Sequence, residues 1–300
     1  MTPGFAAVDW GTTSFRLWLI DETGAVRGRR SAPTGMGQLG AGEYAPLLED
    51  HLDSLGADPS LPVVIAGMAG ARGGWVEAPY ADITHGVAGL AASAVRVPHP
   101  RRDLRILPGL KQLEPANVMR GEETQIAGFL VDAPEHTGVL CLPGTHTKWV
   151  LVEEGRLLRF ATAMTGELFA LLAKTSVLRH SVGEDGLDDY TFRAAVREAA
   201  DAPGGPMLPL FGVRANALLH DAGPAEGRSR LSGLLIGAEL AATRAYWSGR
   251  PVDIIGAPEL ARNYQIALAV MGTAARQHDA EKLTLAGLKS AFAKMNRRET

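Results

Sequence analysis

The sequence predicts a mixed α/β protein built from two copies of one β unit, and three observations predict it. Val8-Asp9-Trp10-Gly11-Thr12-Thr13-Ser14-Phe15-Arg16 is answered later in the chain by Leu142-Pro143-Gly144-Thr145-His146-Thr147-Lys148. Each passage continues as an apolar/polar alternation, to Ile20 and to Val152, and then meets a turn, Asp21-Glu22-Thr23-Gly24 or Glu153-Glu154-Gly155. Gly11 and Gly144 lie 133 positions apart, whereas Gly24 and Gly155, like Gly35 and Gly166, lie 131 apart, so one turn shortened by two residues relates the copies. Finally, 300 residues exceed what one core usually serves, so two domains are expected.

The elements follow in order. Short apolar runs between Gly and Pro punctuation predict strands at Phe5–Val8, Phe15–Ile20, Ala25–Arg30 and Pro62–Ala66. The first three have short connections and should form an antiparallel meander. Leu47, Leu48 and Leu52 share one face of a helix over Tyr44–Ser54. The glycine-rich run Gly67–Trp75 reads as a loop at a strand's carboxyl end, where open α/β sheets bind ligands. Pro98, Pro100 and Pro108 interrupt the chain and place a domain boundary near residue 112. A helix starts near Arg120, the second β unit follows, and a helix runs from Gly166 to Leu178. Residues 183–189 read as an exposed acidic loop. Helices are expected over Phe192–Ala200, Val213–His220 and Leu234–Trp247, then a strand at Val252–Ile255 and a helix to Val270.

Bulk properties narrow the function. With 46% apolar and 21% charged residues the composition is that of a soluble globular protein. A net charge of −3 gives no electrostatic case for nucleic acid or an anionic membrane, and Arg101-Arg102 with Arg105 reads as a short solvated cluster. No run approaches 18 apolar residues and no signal pattern opens the chain, so no membrane partner is expected. The single Cys141 follows Gly138-Val139-Leu140; it fits a reducing cytoplasm and reads as core.

The paired loops carry the chemistry. Glycine lets backbone approach a phosphate closely, and threonine hydroxyls and amides donate to its oxygens. Gly11, Thr12, Thr13, Gly144, Thr145 and Thr147 are therefore candidate phosphate contacts, against the alternative of two ordinary hairpin turns. Only the first copy has a carboxylate on its strand: Asp9 suits a hydrated magnesium ion on phosphates, or else caps the hairpin. Lys148 reads as a solvated strand lysine.

Asp9–Arg16 resembles the first phosphate motif of the sugar kinase, heat-shock protein and actin superfamily, and Gly144–Thr147 resembles the second. Ile254-Ile255-Gly256-Ala257-Pro258-Glu259-Leu260 resembles its adenosine motif, with Gly256, Ala257 and Pro258 at the nucleotide. Four longer segments, Met68–Tyr80, Val118–Gln125, Leu142–Trp149 and Met164–Leu172, are similar in order to the 2-dehydro-3-deoxygalactonokinase family, and the likeness extends from Val8 to about Val270. The resemblance implies an α/β fold of two ribonuclease-H-like (actin-like ATPase) domains with a central cleft. Residues 1–112 would carry the first phosphate loop and a sugar-acid loop, and 113–300 the second phosphate loop and the adenosine motif. It implies cytoplasmic, ATP- and Mg2+-dependent phosphorylation of 2-dehydro-3-deoxy-D-galactonate on its 6-hydroxyl. Another sugar or pantothenate kinase, a nucleotide or sugar sensor, or an actin-like ATPase stand as alternatives. A small sugar acid is the expected partner, and a homodimer is left open.

The same resemblance places a general base at a helix start after a strand, where Arg120-Gly121-Glu122-Glu123 stands. Neighbouring helical residues point about 100° apart. Glu122 is favoured, Glu123 follows closely, and Glu167 is a third candidate; the alternative is two glutamates complementing the helix dipole. A keto-deoxy sugar acid needs a clamp for its carboxylate, and Arg72 offers a planar fork. Trp75 would wall the pocket or join the core, and Tyr80, Arg120 or Glu167 would meet sugar oxygens.

Overall fold

The computed structural model describes residues 4–202 and 205–296, in two compact units. The first holds the chain up to His136, the segment Glu154–Leu158 and the chain from Ala280. Its strands are β1 (Phe5–Trp10), β2 (Phe15–Ile20), β3 (Val26–Ala32), β4 (Val63–Gly67), β5 (Ala81–Asp82), β6 (Val95–Val97), β7 (Leu104–Ile106), β8 (Leu110–Gln112) and β9 (Asn117–Met119). The main sheet runs β3-β2-β1-β4-β7-β6, and β5-β8-β9 form a small second one. β1 pairs antiparallel with β2 and parallel with β4; lying between them, it is buried throughout except at Asp9. β3 ends the sheet and carries Arg27, Arg29 and Arg30 on a largely exposed edge, where charge discourages pairing with another chain.

Helix α1 (Tyr44–Asp53) buries Tyr44, Leu48 and Leu52 in a core with Trp10, Phe15, Leu17 and Ile65. The sheet's other aliphatic residues, with Phe5 and Trp18, pack on Leu288, Phe292 and Met295 of α9 (Ala280–Asn296). α9 also packs on α2 (Glu122–Asp132) at two glycines, since a Cβ on Gly128 would strike Leu283 and one on Gly287 would strike Thr124.

The second unit contains residues 137–153 and 159–279. Its sheet comprises β10 (Gly138–Leu142), β11 (Thr147–Glu153), β12 (Arg156–Ala163), β13 (Val252–Gly256) and β14 (Ala275–Asp279), in the order β12-β11-β10-β13-β14. β10 pairs antiparallel with β11 and parallel with β13, as β1 does with β2 and β4. The helices are α3 (Thr165–Lys174), α4 (Asp189–Asp201), α5 (Met207–Leu219), α6 (Pro224–Ala242), α7 (Arg244–Trp247) and α8 (Pro258–Val270). Gly233 and Gly237 of α6 allow close approach to Phe192 and Val196 of α4. Cys141 is fully buried beside Val139 and Trp149, as expected of a core thiol.

Several expectations are revised. The units do not divide at residue 112, because α2 packs on α9 and α9 packs on the first unit's sheet. The helix expected over Gly166–Leu178 ends at Lys174, and a separate 3-10 turn, Val177–His180, follows. The one expected over Leu234–Trp247 begins at Pro224, a proline suited to a first turn, and breaks at Thr243 into α7. Arg102 is not solvated: it is 4% exposed, and its Nε donates to Glu49 Oε1 at 2.6 Å. No helix among the described residues is long and apolar enough to cross a membrane.

Candidate active site

In the first unit the carboxyl ends of β1 and β4 meet the start of α2. The register sets Asp9 beside Ala66 and Trp10 beside Gly67. Gly67 has φ +93°, and a Cβ there would lie 2.6 Å from the Trp10 carbonyl oxygen and 3.4 Å from Asp9 Oδ1. Gly121, the residue before α2, has φ +105° and lies against Gly67. Both positions need glycine for conformation, and Gly67 needs it for space as well.

Asp9 accepts a hydrogen bond from Arg16 Nη2 at 2.5 Å, its cross-strand partner on β2, and Arg16 Nη1 lies 3.9 Å from Glu281. Burial raises the Asp9 carboxyl above its usual range, Arg16 opposes this, and the nearby charge of Glu122 adds to the rise. Asp9 therefore sits on a strand in a guanidinium pair and does not cap the turn.

The two glutamates differ sharply. Glu123 is fully buried, accepts from the Gly121 N–H at 2.7 Å and from Thr124 Oγ1 at 3.2 Å, and is pushed up to about 8, first by burial and then by Glu122. Near neutral pH it is mostly protonated. Glu122 is half-buried, accepts from the Arg120 N–H at 3.1 Å, and is close enough to Asp9 to influence its ionisation.

Arg120 lies over the Tyr80 ring at 4.4 Å and donates from Nη2 to the Ala78 carbonyl at 2.7 Å. Its buried Nε and Nη1 have no hydrogen-bond partner among the described residues. Gly70 makes room for it, since a Cβ there would fall 2.8 Å from Nη1. Arg72 is 91% exposed with Glu77 at 3.6 Å, and Trp75 stacks on Tyr44 in the core margin. Of the sugar-acid candidates in this unit, Arg120 and Tyr80 stand together.

The Gly-Thr loops are built alike. The Gly11 N–H bonds the Ser14 carbonyl, and the Met36 and Gly37 N–H groups bond the carbonyls of Gly11 and Thr12, each at 3.0 Å. A Cβ on Gly35 would overlap the Thr12–Thr13 peptide. In the second unit the Glu167 N–H bonds the Thr145 carbonyl at 3.0 Å, and a Cβ on Gly166 would overlap the Gly144 carbonyl. The distant glycines therefore follow the repeat because each cradles its loop. Thr12, Thr13 and Thr145 are exposed, as phosphate donors must be. Thr147 is not: it is fully buried, and its hydroxyl meets Tyr264 Oη at 2.8 Å. Lys148 is 4% exposed, with Nζ donating to the His146 carbonyl at 3.0 Å, which removes it from solvent. Glu167 pairs with His146 Nε2 at 2.5 Å beside this loop.

The same loop opens on a cavity of about 630 Å³ lined by Gly144, Thr145, Gly166, Asn263, Tyr264 and Arg228 among others. The acidic loop contributes Glu184, Asp185, Gly186 and Leu187, so residues that read only as a solvated turn line the site. From α8 the lining comes from Glu259, Leu260, Arg262, Asn263 and Tyr264, beginning directly after Gly256, Ala257 and Pro258. Gly256 instead packs on Pro143 behind the loop. No group of three or more His, Cys, Asp or Glu among the described residues could cage a metal ion. A single carboxylate such as Asp9 fits magnesium that keeps its waters and is carried on phosphates.

The family model for 2-keto-3-deoxy-galactonokinase matches residues 9–291. The chain belongs to that family. A Rhizobium meliloti protein named a probable 2-dehydro-3-deoxygalactonokinase is 41% identical over 96% of both chains, and the Escherichia coli 2-dehydro-3-deoxygalactonokinase is 33% identical over 91% of both. A crystal structure of a Sinorhizobium meliloti protein, provisionally named a 2-dehydro-3-deoxygalactonokinase, superposes with a TM-score of 0.92 at 41% identity, covering 97% of this chain and 99% of that one. Component A of the Acidaminococcus fermentans (R)-2-hydroxyglutaryl-CoA dehydratase shares the fold alone (TM-score 0.54, 9% identity, 98% and 99% coverage). The galactonokinase-family chain thus has the duplicated actin-like ATPase fold that its two matched sheets display.

Proposed function

We propose that the protein transfers the terminal phosphoryl group of ATP to the 6-hydroxyl of 2-dehydro-3-deoxy-D-galactonate, giving the 6-phosphate and ADP. Family membership supports the substrate. The observation that carries the chemistry is the meeting of Asp9 and Glu122 at the glycine-lined ends of β1 and β4.

Phosphoryl transfer is mainly positioning and charge neutralisation, so backbone loops and two carboxylates can suffice. Thr12 and Thr13, with Gly144 and Thr145, donate to phosphate oxygens, Gly11 lets the backbone come close, and the cavity over α8 takes the adenosine. Magnesium, when bound, neutralises charge on the phosphates; Asp9 orders its water shell, and Arg16 fixes the Asp9 rotamer. Glu122 accepts the proton as the 6-oxygen attacks the γ-phosphorus, and the bond to the ADP oxygen breaks. Glu123 cannot share this role near neutral pH, because it holds its proton. Arg120, stacked on Tyr80 with two unspent donors, binds the sugar acid's carboxylate, and Arg72 adds attraction from its exposed loop. A coupled ADP-release assay across keto-deoxy acids and neutral hexoses tests the proposal: turnover confined to the keto-deoxy acids is expected, and equal turnover of a neutral hexose would overturn it.

A further inference from the structure

The second unit buries a carboxylate that the reaction above does not use. Glu239, on α6, is 5% exposed, with no cation among its hydrogen-bond partners. Oε1 accepts from Trp149 Nε1 at 2.7 Å; Oε2 accepts from Tyr264 Oη at 2.8 Å and from Thr165 Oγ1. Tyr264 has one hydroxyl proton. Since that proton goes to Glu239, the 2.8 Å contact between Thr147 Oγ1 and Tyr264 Oη must be a donation from threonine. The donors in the cluster then converge on one carboxyl group: Thr147 to Tyr264 to Glu239, with Thr165 and Trp149 approaching from other sides.

The donors' positions give the cluster its meaning. Thr147 begins β11 directly after Gly144-Thr145-His146, and Thr165 begins α3, whose next two residues pack on and hydrogen-bond that loop. Tyr264 and Thr165 also line the cavity. One carboxylate thus holds the strand leaving the loop, the helix covering it and the cavity wall. A buried carboxylate facing only neutral donors is costly unless all of them are supplied, and burial does raise Glu239 above its usual range.

Resting on the kinase reading above, we infer that Glu239 is a positioning residue for ATP: as an acceptor of three converging donors, it sets the geometry of the second phosphate loop without touching the nucleotide. The alternative, a purely structural hub, predicts lost stability with substrate affinities unchanged.

The test is calorimetric ATP·Mg binding and steady-state kinetics of the wild type, Glu239→Gln and Tyr264→Phe, well below each melting temperature. The amide of Glu239→Gln turns one acceptor into a donor, so at least one proton in the chain must reverse. Its ATP dissociation constant and KM should rise roughly tenfold or more, the scale of one lost charge-assisted hydrogen bond, while KM for the sugar acid stays within about twofold. Tyr264→Phe breaks the chain at one link and should show a smaller rise of the same selectivity; should Glu239→Gln fail to fold, that variant decides alone. ATP affinity within twofold of wild type in a folded variant overturns the inference, as does an equal rise in KM for both substrates. Wild-type protein that binds no ATP overturns the kinase reading and the inference together, whereas wild type and variant binding alike overturns the inference only.

Discussion

Behind Gly11-Thr12 stands a carboxylate, Asp9, engaged by Arg16 across the hairpin; at the matching place behind Gly144-Thr145 stands Leu142, which is buried and apolar. The polar groups of the second copy lie deeper, in the neutral donors around Glu239. Both loops rest on the same glycine cradle, at Gly35 and at Gly166. The comparison teaches that duplication preserved the glycine-cradled loop backbone while charge was allotted unequally. The first copy has the paired ionisable groups Asp9 and Arg16, and the second has an open cavity and the hydrogen-bonded frame around Glu239.

The inequality can be broken most severely at Glu122. Glu122→Gln should lower kcat by about 10²–10⁴-fold, the usual worth of a general base, with calorimetric ATP affinity retained. Glu123→Gln, one residue away, should keep kcat within severalfold. It should instead change the pH dependence of stability. The folded-state value of Glu123 is raised from 4.5 to about 8, so its stabilising effect is complete below pH about 4.5 and is lost as pH climbs through 8. Denaturation curves from pH 5 to 9 should show a decline in wild type that the glutamine variant lacks, and two parallel curves would contradict the burial argument.

Asp9 and Leu142 form the next contrast. Asp9→Asn should reduce kcat by roughly 10²–10³-fold, comparable to removing one preorganised electrostatic contact. Leu142→Met, a volume-conserving core change, should cost under about 1.5 kcal/mol of stability and leave kinetics alone. Near-normal turnover of Asp9→Asn at saturating magnesium would remove the first copy's special status.

Within the first unit, Arg120→Lys should raise KM for the sugar acid by more than tenfold, since losing a charge-assisted hydrogen bond costs about 1.5–3 kcal/mol and an ammonium cannot reproduce the planar fork. Arg72→Lys, at a site open to water, should shift KM only severalfold. The reverse ranking, read from steady-state kinetics, would move the clamp to the exposed loop.

The smallest effects should fall on what the copies share. Gly35→Ala and Gly166→Ala each force a methyl group into loop backbone, and each should cost about 1–3 kcal/mol by thermal denaturation. A large loss in one and none in the other would mean that the two cradles are not equivalent.

Much of this was legible in the sequence because the repeat recurs at two offsets, 133 and 131, that one shortened turn relates. Both meanders, both loops and the paired glycines follow from it. Legibility failed where the decisive fact was a partner distant in sequence. Thr147 reads as a phosphate ligand until Tyr264, 117 residues away, is seen to take its hydroxyl. Lys148 reads as solvated because alternation along β11 does not reveal that both faces are covered. Arg120 reads as a contact for sugar oxygens and Arg72 as the clamp, until Gly70 and Tyr80 are seen to enclose Arg120 while Arg72 lies exposed. The acidic run at 184–187 offers no apolar pattern, and only the packing of α6 and α8 makes it a cavity wall.

The placement of α9 affects the order in which the protein can be made. Phe5 of β1 stacks on Phe292 at 4.0 Å, and α2 closes on Leu283 and Gly287. During synthesis the opening strands therefore leave the ribosome long before the helix that covers one face of their sheet. For most of translation that face, with Phe5, Trp18, Val64 and Leu107, has no cover from α9. The second unit, whose segments all precede Ala280, can close first, and the first-made strands finish last.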